Sequence, residues 1–242
     1  MTGNVAIIVA AGSGQRMQSQ MPKQFLELAN RPILWHTLSA FLQCQDLDQI
    51  FVVVPELYKN KCENEIITPL IRTCNVIQSD HKKITCIAGG ARRQDSVYIG
   101  LQAVESLSDI VVIHDGVRPF VTPSQITQII DLAKKYKAVI FGIKPRDTVK
   151  MIDNNSCITQ SIDRDRLLMA QTPQAFSFEL IKRAHEFAIN NEFSATDDAM
   201  LIEQIGAKVF VASGHPLNIK ITTPEDLILS KNILTAWPPD HL

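Results

Sequence analysis

Several short segments carry side chains suited to phosphate chemistry, and two of them stand directly after apolar runs. The first is Ala10-Ala11-Gly12-Ser13-Gly14-Gln15-Arg16-Met17. Glycines there let the backbone turn tightly and bring its N–H groups against phosphate oxygens. Arg16 and, seven residues on, Lys23 add positive charge. The pairing suits a triphosphate, with amides and Ser13 cradling it and the two cations neutralising charge that develops during transfer. The same glycines also suit a plain strand-to-helix turn with surface cations. Met17 stands where the dinucleotide fingerprint needs its third glycine, and the G-K-[ST] of a P-loop is absent. A nicotinamide dehydrogenase is therefore disfavoured.

The second segment is His114-Asp115-Gly116-Val117-Arg118-Pro119. A carboxylate just past a buried strand is placed to hold Mg²⁺, which takes one or two carboxylates plus substrate phosphates. Asp115 can equally cap a turn with Arg118 as its ion-pair partner, and His114 reads as a packed strand residue. The third segment, Gly89-Gly90-Ala91-Arg92-Arg93-Gln94-Asp95-Ser96-Val97, combines a Gly-Gly approach for a flat base with a Ser96 hydroxyl on the next helical turn. A glycine turn and a helix start would look the same. Further candidates are Arg146-Asp147-Thr148, Asp163-Arg164, Ala170-Gln171-Thr172-Pro173-Gln174 and Thr196-Asp197-Asp198. Lys220 lies in Asn218-Ile219-Lys220-Ile221-Thr222, which reads as a strand. An ammonium there needs an anionic partner, either a ligand or an acid such as Asp198.

The elements that would position these residues alternate in type. Apolar runs at 5–10, 50–54, 84–88, 110–114 and 138–143 read as strands buried on both faces. Between them, 34–43, 60–72, 95–106 and 123–136 read as helices, with Pro69 an interruption of the second and Thr122 an N-cap before Pro123 in the last. This alternation predicts a doubly wound, mostly parallel α/β sheet with helices on both faces. Ligands in such sheets bind outside the carboxyl ends of the strands, where the segments at 10–16 and 115–119 fall. The pattern breaks between Lys144 and Phe176. Residues 148–152 and 157–162 around Asp153-Asn154-Asn155 read as a polar β-hairpin, taken here as a protruding arm within 145–175. Helices return at 178–189, 197–205 and 224–234, with a strand at 209–212. The whole chain, 1–242, reads as one unit carrying that arm.

Composition limits the function classes. With 24 Lys plus Arg against 25 Asp plus Glu, the net charge is −1, which argues against a nucleic-acid partner but not against a local basic pocket. No apolar run approaches the roughly 18–20 residues that span a membrane, and the first residues lack the basic start of a signal peptide. The five cysteines, Cys44, Cys62, Cys74, Cys86 and Cys157, are dispersed and never form C-x-x-C, so a reducing, cytoplasmic setting is expected.

Six segments in order now point to one family. Ala10-Ala11-Gly12-x-Gly14-x-Arg16-Met17, Pro22-Lys23-Gln24-Phe25, Gly89-Gly90-x-x-Arg93-x-x-Ser96-Val97, His114-Asp115-x-x-Arg118-Pro119, Gln171-Thr172-Pro173-Gln174 and Asn218-Ile219-Lys220-Ile221-Thr222 together resemble the 2-C-methyl-D-erythritol 4-phosphate cytidylyltransferase family. The resemblance covers nearly the whole chain. It implies a Rossmann-like nucleotidyltransferase fold and transfer of CMP from CTP to a sugar-alcohol phosphate in isoprenoid precursor synthesis. Ala10, Ala11, Gly12, Ser13 and Gly14 would wrap the triphosphate, with Arg16, Lys23 and Lys220 as catalytic cations. Gly90 and Ser96 would recognise cytosine. Asp115 would hold Mg²⁺, and Arg118 would shape its loop. Thr148, Arg164, Thr172, Thr196 and Lys220 would grip the sugar phosphate. Arg164 would come from the partner in a homodimer joined through the arms. Two departures stand out: Ala91 replaces an acid beside the base in some members, and Gly116 replaces a commoner alanine, adding freedom to its loop.

The chain is similar also to ribitol-5-phosphate cytidylyltransferases, in Pro22 to Leu28 and Val117-Arg118-Pro119-Phe120. Those relatives tend to carry Ala-Gly-Gly in the first loop, whereas Ala10-Ala11-Gly12 favours the methylerythritol family. A regulatory module that binds nucleotide without catalysis is a further reading, against which the set Arg16, Lys23, Asp115 and Lys220 speaks.

Overall fold

The computed structural model describes residues 3–12, 17, 21–73, 82–104 and 108–236. Ser13, Gly14 and Arg16 of the first loop, and Cys74, lie outside these. The apolar runs form the strands expected of them: β1 (Val5–Val9), β4 (Gln49–Val54), β5 (Lys83–Ala88), β6 (Ile110–Asp115) and β7 (Ala138–Ile143), with two-residue β2 (Glu27–Leu28) and β3 (Arg31–Pro32) pairing between β1 and β4. The arm holds β8 (Val149–Ile152) and β9 (Ile158–Ile162); β10 (Met169–Ser177) and β11 (Phe210–Ser213) follow. The main sheet runs β11-β7-β10-β6-β1-β4-β5. Every neighbouring pair in it is parallel except the two that β10 makes with β6 and β7.

Residues alternate across a strand with a period of two. Ala6 and Ile8 of β1 therefore join Val52 and Val112 in one core, under the helices Ile33–Gln43 and Pro123–Tyr136. Val5, Ile7 and Val9 join Phe51 and Val111 in the other, with Val97 of the helix Arg93–Ala103 and Ile181 of the helix Phe178–Asn190. A third, smaller cluster joins Leu28 and Val117 to Ile221 and Ile233, which ties the C-terminal helix Pro224–Ala236 to the loop after β6.

The structure departs from the sequence reading in four places. Met169–Ser177, expected as part of the arm, is a central strand of the main sheet. Its polar Gln171, Thr172 and Gln174 hid it, because those side chains are satisfied by specific partners rather than by apolar packing. Residues 218–222, expected as a strand, form no ladder; Ile221 N–H bonds the Val117 carbonyl instead. Pro69 does not break its helix. The backbone stays helical from 59 to 73, widening to π-type bonding over Cys62–Ile67 just before the proline, which has no N–H to donate. Finally, the helix expected from Asp95 begins at Arg93, because Asp95 is its third residue and bonds back to the Arg92 N–H at 3.1 Å.

The arm is a two-stranded hairpin whose residues are almost all exposed. Among the described residues, no helix is long and apolar enough to cross a membrane.

Candidate active site

β6, β1, β4 and β5 end side by side, and the carboxyl ends of β1 and β6 with the segment after β5 frame a cavity of about 250 Å³. Ala10, Ala11 and Gly12 form one wall, with Lys23 and Gln24; Gly90, Ala91 and Ser96 form another; Asp115 and Lys220 lie between them, with Arg93. Five segments far apart in sequence thus meet where strand-end ligands are expected. Thr148, Arg164, Thr172 and Thr196 do not line this cavity. Thr148 and Arg164 are exposed at the base of the arm, where an Arg164 Nη1 donates to the Arg146 carbonyl at 2.9 Å. Thr196 is exposed before the helix Asp198–Gln204.

Local bonds explain how each wall is held. Gln24 is buried, and its amide donates to the Ala10 and Gly12 carbonyls, which fastens the Lys23 turn to the first loop. Gly89 packs so tightly on Ala11 that a Cβ there would overlap it. Gly116 is similarly placed: a Cβ would come within 2.9 Å of the Ala10 Cβ, so this glycine permits close loop packing more than it adds freedom. Ser96 shapes its loop. Its hydroxyl accepts from the Gly90 N–H at 3.1 Å and sits 3.1 Å from the Arg92 carbonyl, to which it donates.

The charge centre is Asp115, the last residue of β6. Its Oδ1 meets Arg93 Nε at 3.0 Å, and its Oδ2 meets Lys220 Nζ at 2.8 Å and Arg118 Nε at 3.6 Å. Burial pushes its carboxyl up, but Arg93, Lys220 and Arg118 outweigh that and hold it well below the usual carboxylate range. Arg93 reaches on to Asp198 Oδ2 at 2.8 Å, and Asp198 Oδ1 lies 3.2 Å from His185 Nε2. Burial likewise raises Asp198, and Arg93 with His185 brings it below its ordinary value. Lys220 therefore has an acid as its partner, one of the two readings the sequence left open, but that acid is Asp115 and not Asp198. Three cations face two carboxylates, which leaves the cluster net positive and suited to an anion.

Sequence reasoning passed over Arg93, although it stood in one of the six segments. Nothing in spacing marks the first residue of a helix as a bridge between two carboxylates. Gln24 and Asn218 were missed for the same reason: their work is to hold backbone groups. His114 is fully buried. Its Nε2 donates to the Arg118 carbonyl at 3.1 Å, its Nδ1 accepts from the Thr172 hydroxyl at 3.0 Å, and burial pushes its pKa down to about 3. With both nitrogens engaged and the ring neutral, it is not placed as a general base.

Asp115 also bears on metal binding. Among the described residues, no group of three or more His, Cys, Asp or Glu side chains converges. Among the described residues that line the cavity, Asp115 is the one carboxylate, which fits Mg²⁺ only if phosphates and water complete its shell.

A doubly wound sheet with a cationic pocket across its strand ends fits a nucleotidyltransferase. The model of the 2-C-methyl-D-erythritol 4-phosphate cytidylyltransferase family matches residues 4–236. The protein of that name from Clostridium botulinum (strain Eklund 17B / Type B) is 43% identical over 229 residues, covering 95% of this chain and 98% of that protein. That from Syntrophotalea carbinolica is 43% identical over 230 residues, 94% of each. Among solved structures, a 4-diphosphocytidyl-2C-methyl-D-erythritol synthase from Anaerococcus prevotii superposes with a TM-score of 0.81 at 35% identity, covering 97% of this chain and 96% of that one. The Francisella tularensis cytidylyltransferase gives 0.76 at 30%, over 95% and 98%. This chain belongs to the 2-C-methyl-D-erythritol 4-phosphate cytidylyltransferase family, and it is an enzyme of the nucleotidyltransferase class.

Proposed function

We infer that this chain transfers CMP from CTP to 2-C-methyl-D-erythritol 4-phosphate, giving 4-diphosphocytidyl-2-C-methyl-D-erythritol and pyrophosphate. The observation that carries the reading at the level of chemistry is the cluster of Lys23, Arg93, Asp115 and Lys220 in one strand-end cavity with the glycine loops. A phosphate oxygen of the sugar phosphate attacks the α-phosphorus of CTP in line, the new P–O bond forms, and the bond to the pyrophosphate oxygen breaks. A phosphate monoester dianion is already nucleophilic, so no base is needed. Positioning and charge neutralisation then supply the catalysis. Lys23, with Arg16 in the first loop, is proposed to neutralise the triphosphate, and Ala10 to Gly14 to wrap it. Gly90 would meet cytosine through its backbone, held there by Ser96; Ala91 adds no side-chain polar contact. Lys220 would turn from Asp115 to the sugar phosphate, with Arg118 keeping Asp115 paired.

Mg²⁺ is the proposed cofactor. Asp115 would hold it together with the triphosphate, and the ion would supply further neutralisation of phosphate charge. Thr148, Arg164 and Thr196 stand outside the cavity, so their part in gripping the sugar phosphate is proposed to be completed in a homodimer. One chain's arm would bring Arg164 to the other's pocket. Exposed Met151, Ile152 and Ile158 on the arm support that reading. The arm so defined is 145–168, since β10 belongs to the sheet. A cytoplasmic setting is proposed from the cysteine pattern alone.

Pyrophosphate release tests the reading, with CTP and Mg²⁺ plus either 2-C-methyl-D-erythritol 4-phosphate or ribitol 5-phosphate. Release with the first at a kcat/KM at least about a hundredfold above the second is expected. Preference for ribitol 5-phosphate would move the chain to the rival family of substrates. CTP binding without turnover on either would leave a nucleotide-binding module.

A further inference from the structure

Four residues beneath the cavity close a ring of hydrogen bonds. His114 Nε2 donates to the Arg118 carbonyl at 3.1 Å. Arg118 Nη1 donates to the Asn218 carbonyl at 2.8 Å. Asn218 Nδ2 donates to the Thr172 carbonyl at 2.8 Å. The Thr172 hydroxyl donates to His114 Nδ1 at 3.0 Å, which completes the circuit. A carbonyl can only accept, so the first bond places the ring proton on Nε2 and leaves Nδ1 as an acceptor. Each residue then donates to the next in one direction, so that every member of the ring is fixed at both its backbone or ring acceptor and its side-chain donor.

The ring has a use. The Thr172 oxygen also accepts from the Asp115 N–H at 3.1 Å. This contact is possible because β10 shifts register between Gln171 and Gln174, which takes Thr172 out of its ladder with β7. Asn218, in turn, stands two residues before Lys220. The circuit therefore ties the end of β6, the break in β10 and the Lys220 segment together directly under the Asp115–Lys220 pair. The Thr172 hydroxyl has one hydrogen, and it is spent on His114. That hydrogen is not available to a substrate phosphate, which needs donors.

We propose that His114 is a positioning residue for the transfer reaction, and that Thr172 serves it by holding Asp115 and Lys220 in place through this ring, not by gripping the sugar phosphate. The inference rests on the cytidylyltransferase reading. The family resemblance placed Thr172 among the substrate contacts and gave His114 no part.

A double-mutant cycle separates the two roles, read as kcat and KM for each substrate well below the melting temperature. His114→Phe keeps a ring against Phe41, which it contacts at 5.0 Å, but removes both hydrogen bonds. We expect His114→Phe and Thr172→Val each to lower kcat/KM for the sugar phosphate by about 10–100-fold, as losses of supporting partners do, with KM for CTP within about twofold. The double variant should be no worse than the poorer single one. His114→Asn, whose Oδ1 can stand where Nδ1 does, should recover about tenfold or more of the loss. Multiplying losses in the double variant would show Thr172 acting independently of His114 and overturn the proposal. So would a His114→Phe protein with a lowered melting temperature and wild-type kcat/KM. If His114→Phe does not fold, His114→Gln, which keeps a donor for Arg118 but no acceptor near Thr172, completes the cycle. A wild-type chain without CMP transfer would count against the functional reading, whereas an active wild type with indifferent variants would sink only the positioning role.

Discussion

The pocket and the arm solve opposite problems. At the strand ends, Asp115 and Asp198 are buried, and Arg93, Arg118 and the half-buried Lys220 answer their charge within a single chain. On the arm, Met151, Ile152 and Ile158 stand 52%, 58% and 64% exposed on a two-stranded hairpin, a unit too thin to bury them. The first region pairs its buried charges within the chain and is costly to disturb. The second is apolar surface that the chain itself leaves uncovered, which the proposed homodimer would cover. The difference teaches that the residues proposed for one reaction need not be satisfied by one molecule: the charged cluster finds its partners within the chain, whereas Thr148 and Arg164, proposed to grip the sugar phosphate, do not line its cavity.

Variants at the two regions should therefore fail in different ways. The largest effect belongs to Lys23→Ala, which should cost about 10²–10³ in kcat with the melting temperature close to wild type. A kcat within a few-fold of wild type would remove Lys23 from the transition state. Next comes Arg93→Met, which leaves Asp115 and Asp198 short of their shared cation. Denaturant unfolding should show a loss of about 3–5 kcal/mol, the usual cost of breaking a buried pair from one side. Arg93→Lys should recover little, since an ammonium cannot span two carboxylates as the guanidinium fork does. An Arg93→Met protein of wild-type stability would contradict the charge accounting at Asp115. The smallest effect on the fold is expected from Ile158→Asp on the arm, within about 0.5 kcal/mol of wild type. Sedimentation should nonetheless show a shift toward monomer, with activity falling on dilution. An unchanged oligomer would break the contrast drawn between the two regions.

Legibility in the sequence followed the same division. The parallel strands were readable because their apolar runs are continuous, and Pro123–Tyr136 because Thr122 and Pro123 mark its start. β10 was not, because Gln171, Thr172 and Gln174 are buried through hydrogen bonds that no periodicity records. At the site, Asp115 announced itself by charge at the end of an apolar run, Lys220 by charge within one, and Lys23 by its place beside the glycine loop. Their supports did not: Arg93 looked like one more helical arginine, and His114 like a packed ring. Which acid pairs with Lys220 was not legible, because sequence cannot say that residues 218–222 lie against the β6 loop instead of beside Asp198.

The central claim is that the pocket of one chain and the arm of another make one active site. Lys23→Ala and Arg164→Ala chains carrying different tags, co-expressed and purified through both tags, test it directly. If Arg164 acts in the partner's pocket, each mixed dimer holds one site with both residues intact, and activity should return to roughly half that of a wild-type dimer. Activity no greater than the sum of the two single variants would show that Arg164 serves its own chain or none, and the account of a shared site would fall.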